Sequence, residues 1–181
     1  MHGENERTIV QYCRADMELV GADIRKENVI KEYESEDRID YYLSYCPNGI
    51  QNVHSYQKTT IKNIYPGIDW VLFQKNQDSG FNNEDLKNKC GLKYDFIVHP
   101  GADPSQIRLR YKWTDKPSLQ RDGSVKISTP MGDIVEGAPV SYGEDKEKKV
   151  DTHYSLQGED IRFKIDRYNK AERLTIDPTL V

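Results

Sequence analysis

The sequence predicts an all-β protein, an antiparallel β-sandwich or curled sheet of roughly ten short strands. Three observations predict it. Apolar residues alternate with polar ones over short segments, the period-two signature of strands with one buried face. Gly, Pro, Asn and Asp punctuate those segments every few residues, as turns require. No long stretch places apolar side chains at helical spacing between capping residues.

The first element is 11–20, where Cys13, Ala15, Met17 and Leu19 face one way and Arg14, Asp16 and Glu18 the other. Over 23–40 the composition shifts, and charged side chains such as Lys26, Glu32, Glu36 and Arg38 crowd around few apolar anchors. A solvated connection with a helical turn is the plain reading, and an acidic interaction patch the sharper one. Tyr41, Tyr42 and Leu43 form a short apolar piece that Cys46-Pro47-Asn48-Gly49 turns. A strand follows at 56–64, where Thr59, Thr60 and Ile61 suit a pleated surface. Tyr65-Pro66-Gly67-Ile68 places Pro second and Gly third in a β-turn, the type II pattern, and leads into an apolar strand at 69–73. The stretch 74–91 is a long polar insertion around Phe81 and Leu86; it reads as a mobile loop unless it carries a function.

The chain is organised around 92–111. Tyr94, Phe96 and Val98 alternate with Asp95, Ile97 and His99, then Ile107, Leu109 and Tyr111 alternate with Arg108 and Arg110. Between these arms Pro100 and Pro104 each fix a φ angle and remove a donor, while Gly101 can take the positive φ of a tight corner. Arg108, Arg110 and Lys112 read as a basic edge, a device against edge-to-edge aggregation. Asp122-Gly123 between apolar flanks predicts a hairpin whose second strand is 125–127. Thr129-Pro130-Met131-Gly132-Asp133 turns the chain into Ile134-Val135, 139–142 is a further strand, and 143–149 a charged loop. In the last meander Val150, Thr152, Tyr154 and Leu156 alternate with polar residues. Gly158-Glu159-Asp160 turns, and Ile161, Phe163 and Ile165 return.

Several of these motifs carry a resemblance. The corner, Asn63-Ile64-Tyr65-Pro66-Gly67-Ile68-Asp69, Leu174-Thr175-Ile176-Asp177-Pro178, Tyr41-Tyr42-Leu43, Cys46-Pro47-Asn48-Gly49 and the run from Gly132 to Val140 are together similar to a bacterial domain of unknown function. That domain precedes SBBP-type β-propeller repeats in large cell-surface or secreted proteins, some with gliding-motility-type C-terminal secretion domains. The resemblance spans roughly residues 40–181, and the insertion at 74–91 departs from it, since relatives use a short hairpin there. It implies an extracellular or cell-surface location, an excerpt of a longer exported protein, and adjoining domains of the same polypeptide as partners; a short stand-alone relative is the alternative. It supplies no activity and no catalytic residue.

With 26 basic and 30 acidic residues and a formal net charge of -4, the chain lacks the basic surplus of a nucleic-acid binder. Twelve Tyr, four Phe and two Trp supply aromatic area that disordered chains lack, and the length suits one domain with a sizeable core. No apolar run approaches the ~20 residues of a membrane span, and the first residues lack the basic and apolar regions of a signal peptide. Cys13, Cys46 and Cys90 show no Cys-x-x-Cys; a Cys46–Cys90 bridge and idle thiols are both open.

Catalytic signatures are absent from the sequence. There is no Gly-x-Ser-x-Gly elbow, and His2, His54, His99 and His153 are scattered without metal-ligand spacing. Paired carboxylates could do glycosidase chemistry, and Asp69, Asp95, Asp103 and Asp177 are the candidates. Asp69, Asp103 and Asp177, however, flank Pro or Pro-Gly and are placed to accept from turn amides. The polar residues from Asn76 to Asp85 lack calcium-loop spacing. Trp70 lies in an apolar run and is expected in the core, whereas Trp113, just past a strand, is a stacking platform for a sugar if exposed. The expectation is therefore a non-catalytic structural or interaction module, acting as cap, spacer or adhesion element, with no cofactor and no metal. A carbohydrate-binding domain centred on Trp113 is the alternative, and a glycoside hydrolase fragment the second alternative. A second copy covering an exposed sheet edge would make a homodimer.

Overall fold

The computed structural model describes residues 11–43, 45–74 and 92–180. In chain order its strands are β1 (Asp16–Leu19), β2 (Val29–Leu43), β3 (Cys46–Tyr65), β4 (Ile68–Gln74), β5 (Leu92–Val98), β6 (Arg108–Lys112) and β7 (Ser118–Leu119). They continue with β8 (Val125–Thr129), β9 (Gly132–Tyr142), β10 (Lys149–Val150), β11 (Thr152–Gln157), β12 (Asp160–Ile165) and β13 (Leu174–Leu180). A four-stranded sheet runs β1-β6-β12-β11; a nine-stranded sheet runs β2-β3-β4-β5-β13-β9-β8-β7, with β10 beside β9. Every pairing is antiparallel, so the all-β sandwich expected from the alternation is what forms.

The core lies between the two sheets. Tyr94, Phe96, Leu174, Ile176 and Ile127 of the large sheet meet Leu109, Ile161, Phe163 and Tyr154 of the small one, all buried. Each such side chain contributes about 1.5–3 kcal/mol relative to exposure. An aromatic row runs through it: Trp70, Tyr94, Phe96 and Phe163 meet edge to face at 6.2, 5.7 and 5.9 Å between ring centres, the geometry that ring quadrupoles favour. Trp70 is only partly buried but packs on this core as expected.

The Pro-Gly corner after β5 is built as its residues dictate. Asp103 caps a short 3-10 turn at Pro104–Gln106 by accepting from the Ser105 amide at 3.0 Å. Gly101 takes φ +79° and donates to the Lys170 carbonyl at 2.9 Å. The β3–β4 turn docks against it: Gly67 has φ +71°, and a Cβ there would lie 2.8 Å from the Ala102 Cβ.

Four local expectations are corrected. The charged stretch 23–40 is a connection only as far as Asn28; from Val29 it is strand β2. Its pattern is illegible because β2 is an outermost strand, exposed over most of its length, and its register with β3 shifts three times, which breaks the period of two. For the same reason β3 starts ten residues before the predicted 56–64 strand. Ile134-Val135 and 139–142 are one strand, β9, continuous through Pro139. Arg108, Arg110 and Lys112 are not an edge, since β6 lies between β1 and β12. Their charge is instead met by neighbouring strands: Arg110 Nε donates to Asp160 at 2.8 Å and Lys112 pairs with Glu18 at 2.7 Å. Most of the predicted insertion at 74–91, and Cys90 with it, lies outside the described residues; Gln74 belongs to β4. Cys13 and Cys46 are free thiols.

Candidate functional site

Tyr94 and Phe96 point into the core, so alternation turns Lys93, Asp95 and Ile97 to the opposite face of the nine-stranded sheet. Register aligns partners for them across the sheet. Thr60 faces Val71 and Val71 faces Asp95 across β3, β4 and β5, while Ile97 faces Thr175 and Thr175 faces Tyr142 across β5, β13 and β9. These rows floor an open groove of about 610 Å³, whose walls include Tyr33, Phe73, Glu144, Lys146 and Arg173.

Asp95 is the chemically distinctive group of the floor. Its side chain belongs to the solvent side of the sheet, yet the residue is only 7% exposed. Continuing the β5–β13 register one step past Phe96 and Ile176 places Asp177 directly opposite it. Asp177 accepts from Lys93 Nζ through Oδ2 at 2.8 Å, whereas Asp95 Oδ1, like Asp177 Oδ1, has no hydrogen-bond partner among the described residues. Burial, and then the negative charge of Asp177, push the Asp95 carboxyl up to about 6. Burial is the largest single influence on Lys93 and would lower it, but the bond to Asp177 and the negative charges of Asp177 and Asp95 together outweigh it, and the ammonium is held above its ordinary value.

The other predicted carboxylates separate. Asp103 caps its turn, and burial is slight: two bonds from Ser105, the hydroxyl first and then the amide, hold it below the ordinary aspartate value. Asp69 accepts from the Asn63 amide at 2.9 Å and contacts His99 Nε2 at 2.9 Å, so its role is to staple β4 to the corner. Asp177 is corrected: despite preceding Pro178 it lies inside β13 and takes a lysine rather than a turn amide. His54 contacts Glu34 and His153 approaches Asp151, and among the described residues no cluster of three or more His, Cys, Asp or Glu could hold a metal ion.

Trp113 is where the sequence placed it, directly after β6, and is 71% exposed. Its φ of +64° is unusual for a bulky residue. Its indole also helps hold the Asp16 carboxylate, whose lowered pKa is due first to Arg14. A shallow hollow of about 300 Å³ adjoins it, lined by Lys112, Asp115, Lys116, Pro117 and Glu159 among others.

The sequence reading missed a buried acid between the sheets. Glu136 is 0% exposed and accepts from the Tyr111 hydroxyl. Burial raises its pKa, and the bond from Tyr111, with the Tyr94 hydroxyl nearby, only partly offsets this. Burial and the nearby Glu136 charge in turn raise Tyr111 and Tyr154 far above an ordinary phenol. Glu136 sits in an apolar-looking run, Ile134-Val135-Glu136-Gly137-Ala138, which was its one available signal. Among the described residues, no helix is long and apolar enough to cross a membrane.

Two packed antiparallel sheets, with an open groove across the outer face of the larger, define a β-sandwich domain. The chain belongs to the family described as domain of unknown function DUF7948, whose model matches residues 1–179. The match reaches upstream of the part in which the sequence resemblance was legible. No curated protein and no solved structure matches the chain.

Proposed function

We propose that this domain is a non-catalytic structural and interaction module of a bacterial cell-surface or secreted protein, working as cap, spacer or adhesion element beside further domains of the same polypeptide. The observation that carries the reading is the arrangement of Asp95 and Asp177. They stand side by side on adjacent strands of one surface, close enough for the charge of Asp177 to raise Asp95, and one is held by Lys93. A glycosidase needs its two carboxyls on either side of the bond to be cleaved, and nothing fits between these two. The exported setting rests on the motif resemblance. A screen of the purified protein on chromogenic glycosides and polysaccharides tests the reading: all substrates remain intact if it holds, and cleavage that disappears in Asp95→Asn overturns it. The genomic reading frame around the segment tests the setting, with a secretion signal upstream and repeats downstream expected.

Carbohydrate binding at Trp113 is a second reading, favoured by the exposure of an indole on a disfavoured backbone conformation. A glycan array probed with the protein and with Trp113→Ala decides it; binding indifferent to the substitution removes it.

A further inference from the structure

We propose that the groove across the outer face of the nine-stranded sheet binds a carboxylate-bearing polysaccharide, laid across the strands with its acidic groups at the Tyr142 end. This rests on the reading of the domain as an interaction module and adds the ligand and its place.

The shape is the first reason. The lining residues come from β2 at one end to β9 at the other, and five interstrand spacings of about 4.8 Å give a track of roughly 24 Å. That length suits an extended chain of several sugar units. A peptide suits it less, because the strands of the floor already pair their backbone groups with one another, so only side chains and ring faces remain to read a ligand.

The chemistry is the second reason. Tyr33 at one end, Phe73 between and Tyr142 at the other offer ring faces, and Thr60 offers a hydroxyl. Tyr33 is 66% exposed and held at φ +57°, and strain of this kind at an exposed aromatic is characteristic of ligand contacts. Asp95 brings a nearly buried carboxyl with an oxygen that no protein group satisfies.

Charge selects the class, because at the Tyr142 end two cations outnumber the one carboxylate of the wall, Glu144. Lys58 is neutralised by Glu32 at 2.7 Å and Lys93 by Asp177 at 2.8 Å. Arg173 and Lys146 have no carboxylate partner among the described residues, and Lys146 stands 5.9 Å from the centre of the Tyr142 ring. A guanidinium and an ammonium flanking a tyrosine can take a sugar carboxylate, the guanidinium as a two-pronged donor.

Affinity electrophoresis and calorimetry of the full chain with polygalacturonate, and with neutral galactan as comparison, test this. The acidic polymer is expected to bind and the neutral one not. Arg173→Ala with Lys146→Ala should weaken binding about tenfold or more, the scale of a lost charged hydrogen bond. Circular dichroism confirms that these surface variants fold. No binding of polygalacturonate, equal binding of galactan, or indifference to the double substitution overturns the inference and leaves the non-catalytic reading standing. Shortening of the bound polymer overturns the non-catalytic reading instead.

Discussion

Asp95 and Asp177 are neighbours across the β5–β13 pairing, and of the two it is Asp177 that Lys93 bonds to. One of the two carboxylates therefore has a cation, and the other is left nearly buried beside a negative charge. The groove floor is acidic only when Asp95 has lost its proton.

Stability should accordingly depend on pH through Asp95. Its folded pKa of about 6 lies above the ordinary 3.8, so between these values the native state binds more protons than the unfolded one. Stability is then greatest below the lower value and is lost as pH rises through the upper one. Asp95→Asn is expected to flatten that loss and to be the more stable protein at neutral pH. Urea unfolding of both proteins from pH 4 to 8 checks this through their difference; parallel curves would refute it.

Tyr111 and Glu136 form a coupled pair in the core. Tyr111→Phe deprives a buried acid of a donor and should cost about 1–3 kcal/mol. In a Glu136→Gln background the same change should cost less, since the side chain being abandoned can no longer ionise. A double-mutant cycle by chemical denaturation measures this coupling, and strict additivity would contradict it.

Phe96 sits at the centre of the aromatic row and is fully buried. Phe96→Ala should lose about 3–5 kcal/mol through lost transfer and a residual cavity. Phe73→Ala, on the groove wall, should lose much less. Thermal unfolding of the two variants ranks them.

Gly67 and Gly101 both have positive φ, but only Gly67 is crowded. Gly101→Ala should lose about 1–2 kcal/mol, the cost of left-handed backbone for an L-residue. Gly67→Ala carries that cost and must also displace Ala102, so it should be the worse variant. Equal melting temperatures would show that the β3–β4 turn is not seated on the corner.

The sequence by itself determined the layers: alternation in 92–98, 107–111 and 152–165 decides which side chains face inward, because strand geometry repeats every two residues. It also decided the corner and the turns at Gly67 and Gly123, whose positive φ angles follow from glycine's missing Cβ. It placed Trp113 just past the end of a strand, and the structure shows that residue to be exposed. Tertiary structure alone decided which strands become neighbours. Asp95 and Asp177 are far apart in the chain, and nothing local makes β13 return beside β5; that pairing follows from burying Leu174 and Ile176 against the small sheet. The same long-range pairing made β6 an interior strand, gave β2 its place at the far side of the large sheet, and assembled the groove from six strands. A site built from side chains on separate strands has no period and no spacing to read, because it comes into being with the sheet.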